Sequence, residues 1–202
     1  MLAIVAFAAG LILARALMPS RLELPRTERA TILPEPRDLP ELALTGEDGR
    51  PLGAGFFQGH WTLVFFGFTT CPDICPTTLS TLSKATRELQ DLPAGERPRV
   101  LLVTVDPERD DAARLAAYVK FFDPAFRGAT GEAPGIAAAA AAFGVPFAKV
   151  SLPEGGYTMD HGTGIFLVGP EGGVVAYFSA PHEAAILARD YRKAVEFAGR
   201  LR

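Results

Sequence analysis

The chain has 202 residues, of which 49% are hydrophobic and 21% charged, with a formal net charge of -3. That length holds one well-packed domain with a short appendage and leaves no room for a second full domain. The slightly acidic balance, with no lysine or arginine run interleaved with aromatics, excludes a nucleic-acid footprint.

Met1 to Ala14 is apolar without interruption, and after Arg15 the apolar character resumes at Ala16, Leu17 and Met18. Residues 1–18 are read as a membrane anchor or signal segment. The run is short against the roughly 20 residues of a full span, although Arg15 can snorkel to headgroups. Ala14-Arg15-Ala16 also fits a small-x-small cleavage site, which leaves a removed export signal open. Arg15, Arg21, Arg26 and Arg29 all follow the apolar run, contrary to the usual basic cytoplasmic flank. Residues 19–40, rich in proline and charge, read as a tether, and residues 41–202 as the domain.

Leu42 to Gly53 has the alternation and the Gly49 turn of a small hairpin at the domain's N-terminal side. Trp61 to Gly67 reads as a buried strand leading to a helix from about Thr77 to Asp91, with Pro76 in its first turn. Arg99 to Val105 is a second buried strand, and a helix from about Asp110 to Phe122 follows, with Leu115, Val119 and Phe122 on one face. Ile136 to Phe143, containing six consecutive alanines, reads as a helix ended by Gly144. Then come Phe147 to Leu152, a hairpin of Gly164 to Val168 with Val174 to Phe178, and a last helix from about Glu183 to Phe197. This order predicts an α/β thioredoxin-like sandwich with an N-terminal β-hairpin extension.

Cys71 and Cys75 are the only cysteines, and both fall at the first strand-to-helix junction, where α/β folds place their ligand sites. Unpaired helix amides and the helix dipole there favour a thiolate over a thiol. A structural disulfide gains most by closing a long loop, and three intervening residues close almost none. Redox or metal chemistry is the better reading. Two sulfurs at about 2.3 Å from one ion lie further apart than the roughly 2.05 Å of a disulfide, and a pair this loosely spaced can serve as chelate or bridge.

Only His60, His161 and His182 can supply an imidazole. His161, in Asp160-His161-Gly162 just before a strand expected beside the first, faces the start of the active helix in such a fold. His60 and His182 read as solvated. Enzymes of the oxidoreductase kind place a cis proline in that loop, and this chain has no proline between Pro153 and Pro170. Two thiolates and one imidazole form a soft site that suits Cu(I) and holds Cu(II) with an added ligand. Zinc is the rival, although structural zinc normally takes four protein ligands. Asp160 and Asp73 are candidates to orient His161 or to supply a weak oxygen.

The residues Phe65-Phe66-Gly67-Phe68-Thr69-Thr70-Cys71-Pro72-Asp73-Ile74-Cys75-Pro76 resemble the Sco family, also called SenC or PrrC. So do Val105-Asp106-Pro107-Glu108-Arg109-Asp110, Gly128-Ala129-Thr130-Gly131, and Asp160-His161 followed by Ile165-Phe166-Leu167-Val168-Gly169-Pro170. The resemblance implies one copper per chain, Cu(I) or Cu(II), bound by Cys71, Cys75 and His161. It also implies a metallochaperone that delivers copper to the copper A centre of cytochrome c oxidase subunit II, or maintains that centre's thiols. Other copper chaperones or thioredoxin-like reductants would be further partners. The implied setting is a bacterial inner membrane with the domain facing the periplasm. Asp106 and Asp110 match a family motif near the site and are read as shaping its loop. The reading from another class is a thiol-disulfide oxidoreductase or thiol peroxidase using Cys71 and Cys75, and a copper sensor would fit the same residues.

Overall fold

The structure, a computed structural model, describes residues 23–201. The anchor or signal segment read at residues 1–18 lies outside the described residues. Among those described, no helix is long and apolar enough to cross a membrane.

The strands are β1 (Ala30–Arg37), β2 (Leu44–Gly46), β3 (Pro51–Leu52), β4 (Thr62–Gly67), β5 (Arg99–Thr104), β6 (Arg127–Thr130), β7 (Phe147–Ser151), β8 (Tyr157–His161), β9 (Ile165–Val168) and β10 (Val174–Phe178). The α-helices among the described residues are α1 (Ile74–Glu88), α2 (Ala112–Phe122), α3 (Ala133–Phe143) and α4 (Ala184–Gly199). Eight strands form one sheet in the order β1-β10-β9-β4-β5-β6-β2-β3, and β7 pairs only with β8. β4, β5 and β6 are parallel, while β9 runs antiparallel to β4. This is the thioredoxin-like sandwich expected from the element order.

β4 lies in the middle of the sheet, and Leu63, Val64, Phe65 and Phe66 are fully buried. An uninterrupted apolar run is what a strand covered on both faces requires. α1 presents Cys75, Leu79, Leu82 and Ala85 to the core at helical spacing, and α4, which packs against α1, buries Leu187, Tyr191 and Ala194. α2 begins where Asp111 accepts a hydrogen bond from the Arg114 amide at 2.7 Å. α3 ends at Gly144, whose φ of 73° is the left-handed cap that glycine adopts without penalty.

Three elements depart from the sequence expectation. The stretch read as a tether contains β1, which pairs with β10 through Ala30, Thr31 and Ile32. The buried Asp190 carboxylate on α4 accepts hydrogen bonds from the amides of Glu28, Arg29 and Ala30, which fixes the strand's start. α1 begins at Ile74, not Thr77, so Cys75 sits inside its first turn. The segment from Phe147 belongs to a separate two-stranded arm whose second strand, β8, was not anticipated.

Candidate metal centre

β4 ends at Gly67, and the chain leaves the sheet through Phe68 and Thr69 to Cys71. This exit is pinned by Asp110, a buried carboxylate that accepts from the Thr69 amide at 2.9 Å, from the Thr69 hydroxyl and from the Thr104 hydroxyl at 2.7 Å. Cys71 is half-buried in the loop, and Cys75 is fully buried. The Cys75 amide points at the Cys71 sulfur, 3.4 Å away. Room for the Cys75 sulfur exists because residue 67 has no side chain: a Cβ there would sit 2.8 Å from Sγ.

His161 arrives from the far end of β8. Its Nε2 is 3.5 Å from the Cys75 Sγ, and the ligating atoms of Cys71, Cys75 and His161 all lie within 4.8 Å of one another. No other such cluster of histidine, cysteine and carboxylate ligands occurs among the described residues. The Nδ1–H donates to the Gly162 carbonyl at 3.0 Å, which leaves the Nε2 lone pair directed at the sulfurs. Phe65 and Phe68 meet the imidazole edge-on with centroids 6.0 and 5.8 Å away, so the ring's plane is set by packing.

Burial lowers the His161 pKa, while the hydrogen bond to Gly162 opposes it, so the imidazole is neutral and able to ligate. Burial pushes the Cys75 thiol well above its ordinary range. Loss of water opposes the thiolate that the helix start favours at this cysteine, and a bound metal would supply the compensating charge.

The other expected residues fall as follows. His182 is half-buried, not solvated, and its Nε2–H donates to the Thr163 carbonyl at 2.7 Å. His60 is half-exposed and outside the cluster. Asp160 does not orient His161, since the Gly162 carbonyl does, and Asp73 instead accepts from the Thr77 hydroxyl. Asp106 was expected to shape the loop, but its partners were not foreseen: it takes the Tyr157 hydroxyl at 2.8 Å and the Arg109 guanidinium. A cis peptide bond joins Ala180 to Pro181, which with Ile74, Thr77 and Thr163 lines a cleft of about 180 Å³ beside α1. On its other side, His161 opens onto a shallow depression of about 310 Å³ lined by Pro146, Phe147 and Ala148.

Two sulfurs and one imidazole nitrogen converging at this range can hold one soft metal ion with an open coordination position. The comparisons with known proteins agree in kind. A copper-bound Sco structure from Arabidopsis thaliana is 30% identical, with a TM-score of 0.73 over 80% of this chain and 98% of that one. An apo Sco1 solution structure from Thermus thermophilus is 36% identical, with a TM-score of 0.71 over 81% of this chain and 94% of that one. The mitochondrial SCO2 homolog of Mus musculus is 34% identical over 154 residues, which are 76% of this chain and 60% of that protein. The SCO1/SenC family profile matches residues 35–196. The chain therefore belongs to the SCO1/SenC family.

Proposed function

We propose that this chain is a copper metallochaperone that uses Cys71, Cys75 and His161 as its ligands. Its client is the copper A centre of cytochrome c oxidase subunit II, to which it delivers copper or whose thiols it maintains. The observation that carries the reading is the 3.5 Å approach of the His161 Nε2 to the Cys75 sulfur, with Cys71 in the same cluster. Softness of the donors favours copper over magnesium, calcium or manganese, and the lack of a fourth ligand in the cluster argues against structural zinc. Copper-bound relatives support the same choice.

The geometry also fits a carrier. Three protein ligands leave a position through which an acceptor's thiolate can enter, and half-exposed Cys71 is the ligand that such an exchange would displace first. Anchoring in a bacterial inner membrane, with the domain in the periplasm, would place the site where subunit II presents its copper A domain. Turnover as a general thiol-disulfide oxidoreductase is less well served, because Cys75 is fully buried and any thiol maintenance would have to start at the more exposed Cys71.

Copper titration followed by absorption spectroscopy tests the reading. The chain should take up one copper, with a thiolate-to-Cu(II) charge-transfer band that is lost in Cys71→Ala, Cys75→Ala and His161→Ala. The loaded chain should then pass its copper to an apo copper A domain. Retention of the band in His161→Ala removes the imidazole from the ligand set, and a loaded chain that never surrenders copper to that domain defeats the chaperone role.

A further inference from the structure

The two halves of the site stand on different parts of the fold. The cysteines belong to the β4–α1 junction, inside the main body. His161 ends β8, and β7 and β8 pair only with each other. Every residue of β7 after Phe147 is exposed, and Met159 is the one buried residue of β8. Besides Met159, only the partly buried Phe147 and Tyr157 of these strands pack against the core, so apolar burial holds the arm weakly.

Polar contacts from one loop add to that packing. Asp106, almost completely buried just after β5, accepts the Tyr157 hydroxyl at 2.8 Å through Oδ1 and takes the Arg109 side chain on Oδ2. Arg109 returns to the arm twice, donating from Nη1 to the Tyr157 carbonyl at 3.1 Å and stacking its guanidinium 3.8 Å from the Tyr157 ring centroid. Lys149 adds an ion pair to Glu108, but both partners are largely exposed and such pairs contribute little. Asp110, four residues further on, is the carboxylate that pins Thr69 beside the cysteines. One short loop thus registers both halves of the site against each other.

We propose that Asp106, Arg109 and Tyr157 form a positioning clamp that holds the His161 arm against the cysteine loop and thereby sets the ratio of Cu(II) to Cu(I) affinity. The proposal rests on the ligand set given above. Two thiolates satisfy Cu(I) at low coordination number, whereas Cu(II) takes more ligands and gains from a fixed imidazole. Loosening the arm therefore weakens the two oxidation states unequally. The clamp residues act through the position of β8 and, since the Arg109 guanidinium also lies 6.0 Å from the centroid of the Phe68 ring, through the packing around the imidazole.

Tyr157→Phe is the cleanest test, since it removes the hydroxyl and keeps the ring beneath Arg109. Metal-free protein should show faster amide hydrogen exchange along β8 with β4 unchanged. Cu(II) affinity should fall about tenfold, the usual cost of losing a group that orients a ligand, while Cu(I) affinity stays as it was. Asp106→Asn should shift the same ratio further, and Lys149→Ala should leave it alone. His161→Ala runs alongside: if that variant keeps its Cu(II) affinity, the ligand set itself is wrong. If it loses Cu(II) affinity while Tyr157→Phe changes neither exchange nor the Cu(II)/Cu(I) ratio, the clamp is overturned. Equal weakening of both oxidation states in Tyr157→Phe also overturns it, because that is what a merely structural contact would do.

Discussion

The Cys75 sulfur lies over the α-carbon of Gly67, in space that any side chain at 67 would occupy. A Cβ there would meet Sγ at 2.8 Å, the Phe65 ring at 3.0 Å and the Leu102 side chain at 3.3 Å. All three neighbours are buried and close-packed. Gly67→Ala should cost about 1–3 kcal/mol of stability through overpacking and should weaken copper binding by moving the sulfur. Denaturant midpoints and copper competition measure the two effects. Full stability with unchanged affinity would mean that the sulfur has another place to go.

The buried Cys75 thiol predicts a proton count. Because burial raises its pKa, the metal-free group is protonated near neutral pH, and coordination must expel that proton. Copper affinity should therefore rise with pH, by roughly tenfold per unit for each proton released. The neutral His161 adds little to this slope above a pH of about 6.5. Calorimetric titrations in buffers of different ionisation enthalpy give the number of protons directly, and a count of zero would contradict the buried thiol.

Acid should destabilise the metal-free fold through its histidines. Burial lowers the His182 pKa below its ordinary value of about 6.5, so on acidification the unfolded chain takes up a proton that the folded chain refuses. The stability this group contributes is complete above that ordinary value and is lost as pH falls below it. His182→Gln keeps a donor for the Thr163 carbonyl and should flatten the acid limb of the stability curve. The limb should not vanish, because His161 and His60 are lowered in the same direction. An unchanged limb in the variant would show that His182 titrates alike in both states.

Asp190 tests what fixes the edge strand β1. Its carboxylate collects the amides of Glu28, Arg29 and Ala30, and Asp190→Ala leaves all three without that acceptor. A loss of about 2–4 kcal/mol is expected, with proteolysis beginning between Arg26 and Arg37 before it reaches the rest of the sheet. Equal protease resistance in wild type and variant would mean that pairing with β10 suffices to hold β1.

Much of this fold can be read from the chain because its central elements obey single strong rules. β4 is continuously apolar, α1 repeats its leucines at helical spacing, and Gly144 stands where α3 must stop. β1 was hidden by Pro34 and Pro36, which argue against a strand yet are tolerated on a sheet edge. β8 was hidden because one buried methionine among five residues makes no pattern. Cys71, Cys75 and His161 were legible as residue types whose chemistry is rare in this sequence. Their supports were not: the contact of Tyr157 with Asp106 spans 51 residues, and the orienting group for His161 is a backbone carbonyl with no sequence signature.

The separate pairing of β7 with β8 has a consequence for how such proteins diversify. Since the arm shares no ladder with the eight-stranded sheet, its turn from Leu152 to Gly156 can lengthen, shorten or change charge without disturbing any strand of the body. The tip can thus vary while the sulfurs stay where they are. Grafting residues 147–161 from a relative onto this body is the engineering equivalent, with the Tyr157 contacts as the feature any such transplant must retain.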